Sequence, residues 1–139
     1  MALVETLATQ LASSLGTISS LKGRITDYEP EKLAPPAGII SIDPDELGGE
    51  YDSVFGGVSW WRFTVRVVCG AYSDRNAQRF LYRLISSTGT DSMKTALEAD
   101  RTLGGNAHLL LVEDPKIDST FEIGDQKYYA AILVVRVLA

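Results

Sequence analysis

Residues 58–69 constrain this chain more than any other stretch. They are rich in aromatic and β-branched residues, and they alternate. Trp61, Phe63, Val65, Val67 and Cys69 fall on one side, and Trp60, Arg62, Thr64, Arg66 and Val68 on the other. A period of two belongs to a strand with one face buried, and the first set is the apolar one. The chain must therefore build a sheet and then cover that face.

Two segments have the helical period needed to cover it. Leu3, Leu7, Leu11 and Leu15, flanked by Val4, Ala8 and Ala12, make an i, i+4 stripe that Gly16 can stop. Asp74 is a suitable N-cap for a second helix with Ala77, Phe80, Leu81, Leu84 and Ile85 on its apolar side and Arg75, Arg79 and Arg83 on its solvated side, ended by Gly89. Ser92 can cap a short helix over 93–99 that turns Ala96 and Leu97 inward, before Gly104-Gly105 breaks the chain.

Further strands are expected at 37–42, after Pro35-Pro36 has excluded helix, and at 107–112. Residues 17–33 read as mixed and polar. The run 115–118 reads as a turn and 121–123 as a short strand, with Gly124-Asp125 reversing into a long terminal strand at 128–138. With no repeated strand-helix-strand unit, the fold class is α+β: a mixed or mostly antiparallel sheet, two main helices on one face and a C-terminal β-hairpin. At 139 residues the chain is one domain.

Charge and cysteine usage narrow the function classes. Thirteen Lys and Arg stand against eighteen Asp and Glu, the net charge is −5, and the basic residues are scattered, which disfavours a general nucleic-acid-binding face. Cys69 is the only cysteine, so no intrachain disulfide can form and a reducing compartment of synthesis is expected. The first fifteen residues lack the pattern of a signal peptide, and the longest apolar stretch, 128–135, is far shorter than the roughly twenty residues of a membrane helix.

Reactive chemistry finds little support. Ser19-Ser20-Leu21-Lys22 matches an S-x-x-K pattern, but the companion motifs are missing. Asp43-Pro44-Asp45-Glu46-Leu47-Gly48 opens like a calcium loop, yet Val54 stands where the bidentate Glu belongs. His108 has no second His or nearby Cys with which to complete a zinc set, and reads as an edge-of-sheet or core-margin residue. Cys69 reads as a small core residue rather than a nucleophile. The glycine pairs at 48-49, 56-57 and 104-105 punctuate turns without the Lys-Ser/Thr of a phosphate loop. The expectation is no enzyme, no cofactor and no metal.

Two features point to partners instead. Residues 43–57, a loop or irregular hairpin, combine Asp43, Asp45 and Glu46 with the apolar anchors Tyr51, Val54 and Phe55. Trp60 shares a strand face with Arg62 and Arg66, a combination common in protein interfaces. The competing reading, a helix covering that face with the arginines snorkelling to water, stays open.

Taken in order, the leucine-striped first helix, the strand after Pro35-Pro36-Ala37, the Trp61-Arg62-Phe63-Thr64-Val65 strand and the Ser73-Asp74-Arg75-Asn76-Ala77-Gln78 helix start resemble the tail terminators of long non-contractile phage tails. The segment Ser92-Met93-Lys94-Thr95-Ala96-Leu97, followed by Asp100-Arg101-Thr102-Leu103-Gly104-Gly105, is similar to a pattern found among actinobacterial-phage members of that family. The resemblance implies a virion protein made in the host cytoplasm and placed at the neck-proximal end of the tail. There it would form a hexameric ring that caps the finished tube, stops its growth and docks the head connector. Its implied partners are further copies of itself, the tail tube protein, the head-tail connector or head-completion protein, and DNA that passes through the lumen without sequence-specific binding. A head-completion or other neck-ring protein is the alternative within the same class. A small-molecule-binding or hydrolytic domain is the alternative outside it.

Overall fold

The computed structural model describes residues 4–28, 35–42, 49–51, 59–71, 73–123 and 125–139; for 49–51, 119–121 and 123 it describes the backbone alone. Among them the chain is an α+β domain. Helices α1 (Val4–Leu15), α2 (Arg75–Ile85) and α3 (Met93–Glu98) accompany strands β1 (Ile25–Thr26), β2 (Ala37–Ile42), β3 (Gly49–Tyr51), β4 (Ser59–Ala71), β5 (Leu109–Val112), β6 (Lys116–Ile123) and β7 (Gln126–Leu138).

The sheet is organised by its two thirteen-residue strands, β4 and β7, each about 40 Å long at the usual rise. They pair antiparallel from Trp60 opposite Leu138 to Ala71 opposite Tyr128. β2 and β3 lie end to end along the outer edge of β4, while β5 and β6 lie end to end along the outer edge of β7. β1 joins β2 in the one parallel pairing among the described residues.

Register decides which side chains meet. Phe63, Val65 and Val67 stand opposite Val135, Leu133 and Ala131, and all six are buried in one core with Ile40. Leu7, Leu11 and Leu15 of α1, Ala77, Phe80, Leu81 and Leu84 of α2, and Met93 and Leu97 of α3 complete that core, so all three helices cover the same face. Trp61 and Ile85 pack against its margin, half-buried.

Local chemistry fixes the helix ends. The Asp74 carboxylate accepts from the Asn76 N–H at 2.9 Å and caps α2. The Ser92 hydroxyl accepts from the Thr95 N–H and donates to the Ser86 carbonyl, tying the start of α3 to the end of α2. Gly70 lies directly beneath α2: a Cβ there would stand 2.7 Å from the Ala77 Cβ.

Several expectations need correction. Lys116–Asp118 is not a turn. These residues pair with Ile132, Ala131 and Ala130, so β6 starts at Lys116 and the irregular link after β5 is only 113–115. The reason is the length of β7, which offers ladder partners across the whole stretch. The polar 17–33 region contains Ile18 and Leu21, both buried in a 3₁₀ turn over Ser19–Leu21, and the two-residue β1. Val68, on the side away from the helices, is nonetheless fully buried, as is its cross-strand partner Ala130. No helix among the described residues is long and apolar enough to cross a membrane.

Candidate interaction face

Because a strand alternates, the residues of β4 that do not point at the helices form a second surface. Trp60, Arg62, Thr64 and Arg66 stand there, opposite Leu138, Arg136, Val134 and Ile132 of β7. Leu111 of β5 stands opposite Arg136, on the same face. Among the described residues no helix covers this surface. Leu111 remains 38% exposed, and Trp60, Arg62, Arg66 and Arg136 are half-buried.

Arg62 and Arg136 are directly opposite, an arrangement that costs stability unless each charge is compensated. The structure separates their partners. Arg62 reaches across β7 to Glu113, with Nη2 2.9 Å from Oε1. Arg136 lies over the Trp60 ring, 4.7 Å from its centroid, in a cation–π contact. Glu113 is held in turn by its backbone N–H, which donates to the Val134 carbonyl at 2.9 Å. The product is a pre-ordered patch of one indole and three guanidinium groups on a β-sheet floor.

Of the residues singled out in the sequence, the structure thus gathers Trp60, Arg62 and Arg66 on one face. Asp43, Asp45, Glu46, Val54 and Phe55 lie outside the described residues, as does the calcium-like loop; Tyr51 pairs with Ser59 through the backbone of β3. Arg136 and Glu113 were missed. Arg136 had a signal, since period two along 128–138 puts Ile132, Val134, Arg136 and Leu138 on one face. Glu113 had none, because only the β5–β7 register brings it beside Arg62.

The reactive candidates remain apart. Ser19, Ser20 and Lys22 are exposed, with no hydrogen bond from either serine hydroxyl to the amine among the described residues. His108 is exposed, and its N–H donates to the Leu138 carbonyl at 2.8 Å. Cys69 is buried in the core at a bulge between Val68 and Gly70, and burial pushes its thiol from the ordinary 9.0 up to about 12, partly offset by a backbone hydrogen bond at Ala131. No group of three His, Cys, Asp or Glu among the described residues could hold a metal. A groove of about 470 Å³ beside α1, lined by Thr9, Ser13, Lys22 and Asp27 among others, and a smaller pocket of about 160 Å³ between α3 and the 113–115 link include neither His108 nor Cys69.

The segment that carries the family resemblance is accounted for by folding. Asp100 accepts from the Gly104 N–H at 2.8 Å and from the Thr102 hydroxyl at 3.2 Å. Leu103, Gly104 and Gly105 follow with φ of 50°, 69° and 89°, a left-handed run that glycine adopts freely and leucine only at a cost. Leu103 is fully buried, and burying that side chain offsets the strain of its backbone.

No protein-family model matches the chain, and no curated protein matches it.

Proposed function

We infer that this chain is a structural assembly protein of a long-tailed phage, a tail terminator whose ring caps the tube, ends its polymerisation and presents the docking surface for the head connector. The observation that carries the reading is the β4–β7 face that no described helix covers, where Trp60, Arg62, Arg66 and Arg136 stand together on the sheet. The order of the leucine-striped helix, the Trp61–Val65 strand and the 92–105 segment supplies the kind of assembly.

Tube subunits add by offering each newcomer the same ring surface. A terminator must match that surface on one side and differ on the other. One ring per tube end binds firmly with modest contacts per subunit, since the later contacts form at high effective concentration.

Negative-stain microscopy of the purified protein with tail tubes tests this directly, with rings expected on one tube end. A phage lacking the gene is expected to make filled heads without tails and separate tubes of uncontrolled length. Normal-length tails joined to heads in that mutant, or rings seated only on the head portal, would overturn the assignment.

A further inference from the structure

Helix α2 carries a column of like charge. Arg75, Arg79 and Arg83 recur every four residues, about 6 Å apart along the axis, and the helix contains no Asp, Glu or Lys. All three are exposed, and so is Tyr82, at 58%. Like charges four residues apart destabilise a helix, and Arg75 also stands at the end where the helix dipole favours anions. Among the described residues only Arg83 is relieved: its Nε lies 3.0 Å from the Asp91 carboxylate, and its guanidinium stands over the Phe80 ring. Arg75 and Arg79 have no ion pair among the described residues.

The Arg75 and Arg79 end of the helix lies away from the segments outside the described residues. Residues 29–34 join β1 to β2, which pack against α1, whereas α2 packs against β4 and β7 with Ala77 above Gly70. Residues 43–48 and 52–58 border positions at or opposite Phe63, Trp61 and Ser59, about 23 Å or more from Gly70 along β4, and a loop of seven residues tied at both ends reaches only about 12 Å.

We propose that the outward stripe of α2 docks against an acidic surface of a second copy of this chain. The inference rests on the ring-forming reading above and names one side of the joint. α2 contributes +3 to a net charge of −5 and leaves −8 on the rest, so every other copy offers an excess of carboxylates. Two such stripes cannot face each other across a two-fold axis, because arginine would meet arginine. The contact is therefore heterologous, the kind that closes a ring when the rotation per subunit permits. Arginine and tyrosine without lysine or glutamate is also the composition of an interface, whereas a helix side meant only for water mixes both signs. The column costs the single chain stability, and a neighbour's carboxylates remove that cost.

This trade gives the test two readouts on the full-length protein. In sedimentation velocity, Arg75→Glu and Arg79→Glu should each weaken self-association by about tenfold or more, Arg79→Lys should lose less, and wild-type assembly should weaken as salt rises. In thermal melts at low salt, at concentrations where the wild type is monomeric, Arg79→Glu should melt at the wild-type temperature or above it, because it breaks the column between Arg75 and Arg83.

Wild-type protein that stays monomeric at all concentrations, glutamate variants that assemble like the wild type, or an Arg79→Glu chain that melts well below the wild type would each overturn the proposal. Salt-sensitive binding of a labelled DNA duplex that Arg79→Glu abolishes, with self-association unchanged, would overturn it in favour of nucleic acid. Tube capping separates this from the parent reading. Variants that assemble unchanged while the protein still caps tubes sink only the surface assignment. Variants that behave as expected in a protein indifferent to tubes sink only the terminator assignment.

Discussion

Gly70→Ala is the substitution most tightly constrained by the geometry. The added methyl would stand 2.7 Å from the Ala77 Cβ, whereas carbon atoms in contact prefer about 3.5–4.0 Å. Neither atom can rotate away, because both are Cβ atoms fixed to backbone, so α2 and β4 must separate by about 1 Å locally. Overpacking of this kind costs about 1–3 kcal/mol, and the Gly70 φ of 157°, which L side chains rarely adopt, adds backbone strain in place of the gain a Gly→Ala change brings elsewhere. The net expectation is a destabilisation of about 2–3 kcal/mol. For a chain of this length that lowers Tm by about 6–10 °C. Ala77→Gly alone should cost about 1 kcal/mol through helix propensity. Combined with Gly70→Ala it should recover most of the clash, giving a favourable coupling of about 1–2 kcal/mol in a double-mutant cycle followed by urea unfolding. A Gly70→Ala protein as stable as the wild type, or a cycle without coupling, would show that α2 does not sit on β4 in this way.

Three further outcomes are expected. The Cys69 thiol should resist modification by a disulfide reagent in the native state and react at once in denaturant. Because its folded pKa is raised from 9.0 to about 12, the stability held below pH 9 should fall between pH 9 and about 12 by up to about 1.4 kcal/mol per pH unit, and comparison with Cys69→Ala isolates that slope. Asp100→Ala removes the acceptor for the Gly104 N–H and the Thr102 hydroxyl; it should cost about 1 kcal/mol and quicken proteolysis around 100–106, and unchanged stability would count against the turn's role. Glu113→Gln should cost only about 0.5 kcal/mol, since the Arg62 pair is partly exposed; a thermal melt showing several kcal/mol would mean the pair is far better shielded.

Much of this architecture was legible in residue order, and the omissions have physical causes. The β4 alternation and the α1 and α2 stripes could be read because each reflects one buried and one exposed side. Asp74 and Ser92 were legible as caps because a short oxygen-bearing side chain ahead of an apolar stripe has few other uses. Val68 was misjudged because period two cannot say that part of the second face is also buried. Ile18 and Leu21 were hidden by spacing, since a 3₁₀ turn follows neither the helix nor the strand period. β1 has two residues and exists only through its pairing with β2. At the candidate face, Trp60, Arg62 and Arg66 came from one strand and could be found together. The Arg136–Trp60 stack and the Arg62–Glu113 bridge join residues far apart in sequence and required the register.

The arrangement of β7 also bears on how quickly this sheet can assemble. Its pairing with β6 and β5 grows from Ile123 opposite Gln126, three residues apart, to Leu109 opposite Leu138, so it can zip outward from a local turn. Its pairing with β4 has no such start: the nearest partners, Ala71 and Tyr128, are 57 residues apart. Loop-closure entropy makes that first contact roughly 2–3 kcal/mol harder than closing the hairpin. The hairpin should therefore form early and the capture of β4 should limit the folding rate, a high-contact-order step that leaves the β4 edge unpaired meanwhile. A φ-value survey placing β7 near one toward β6 and near zero toward β4 would bear this out, and the reverse pattern would refute it.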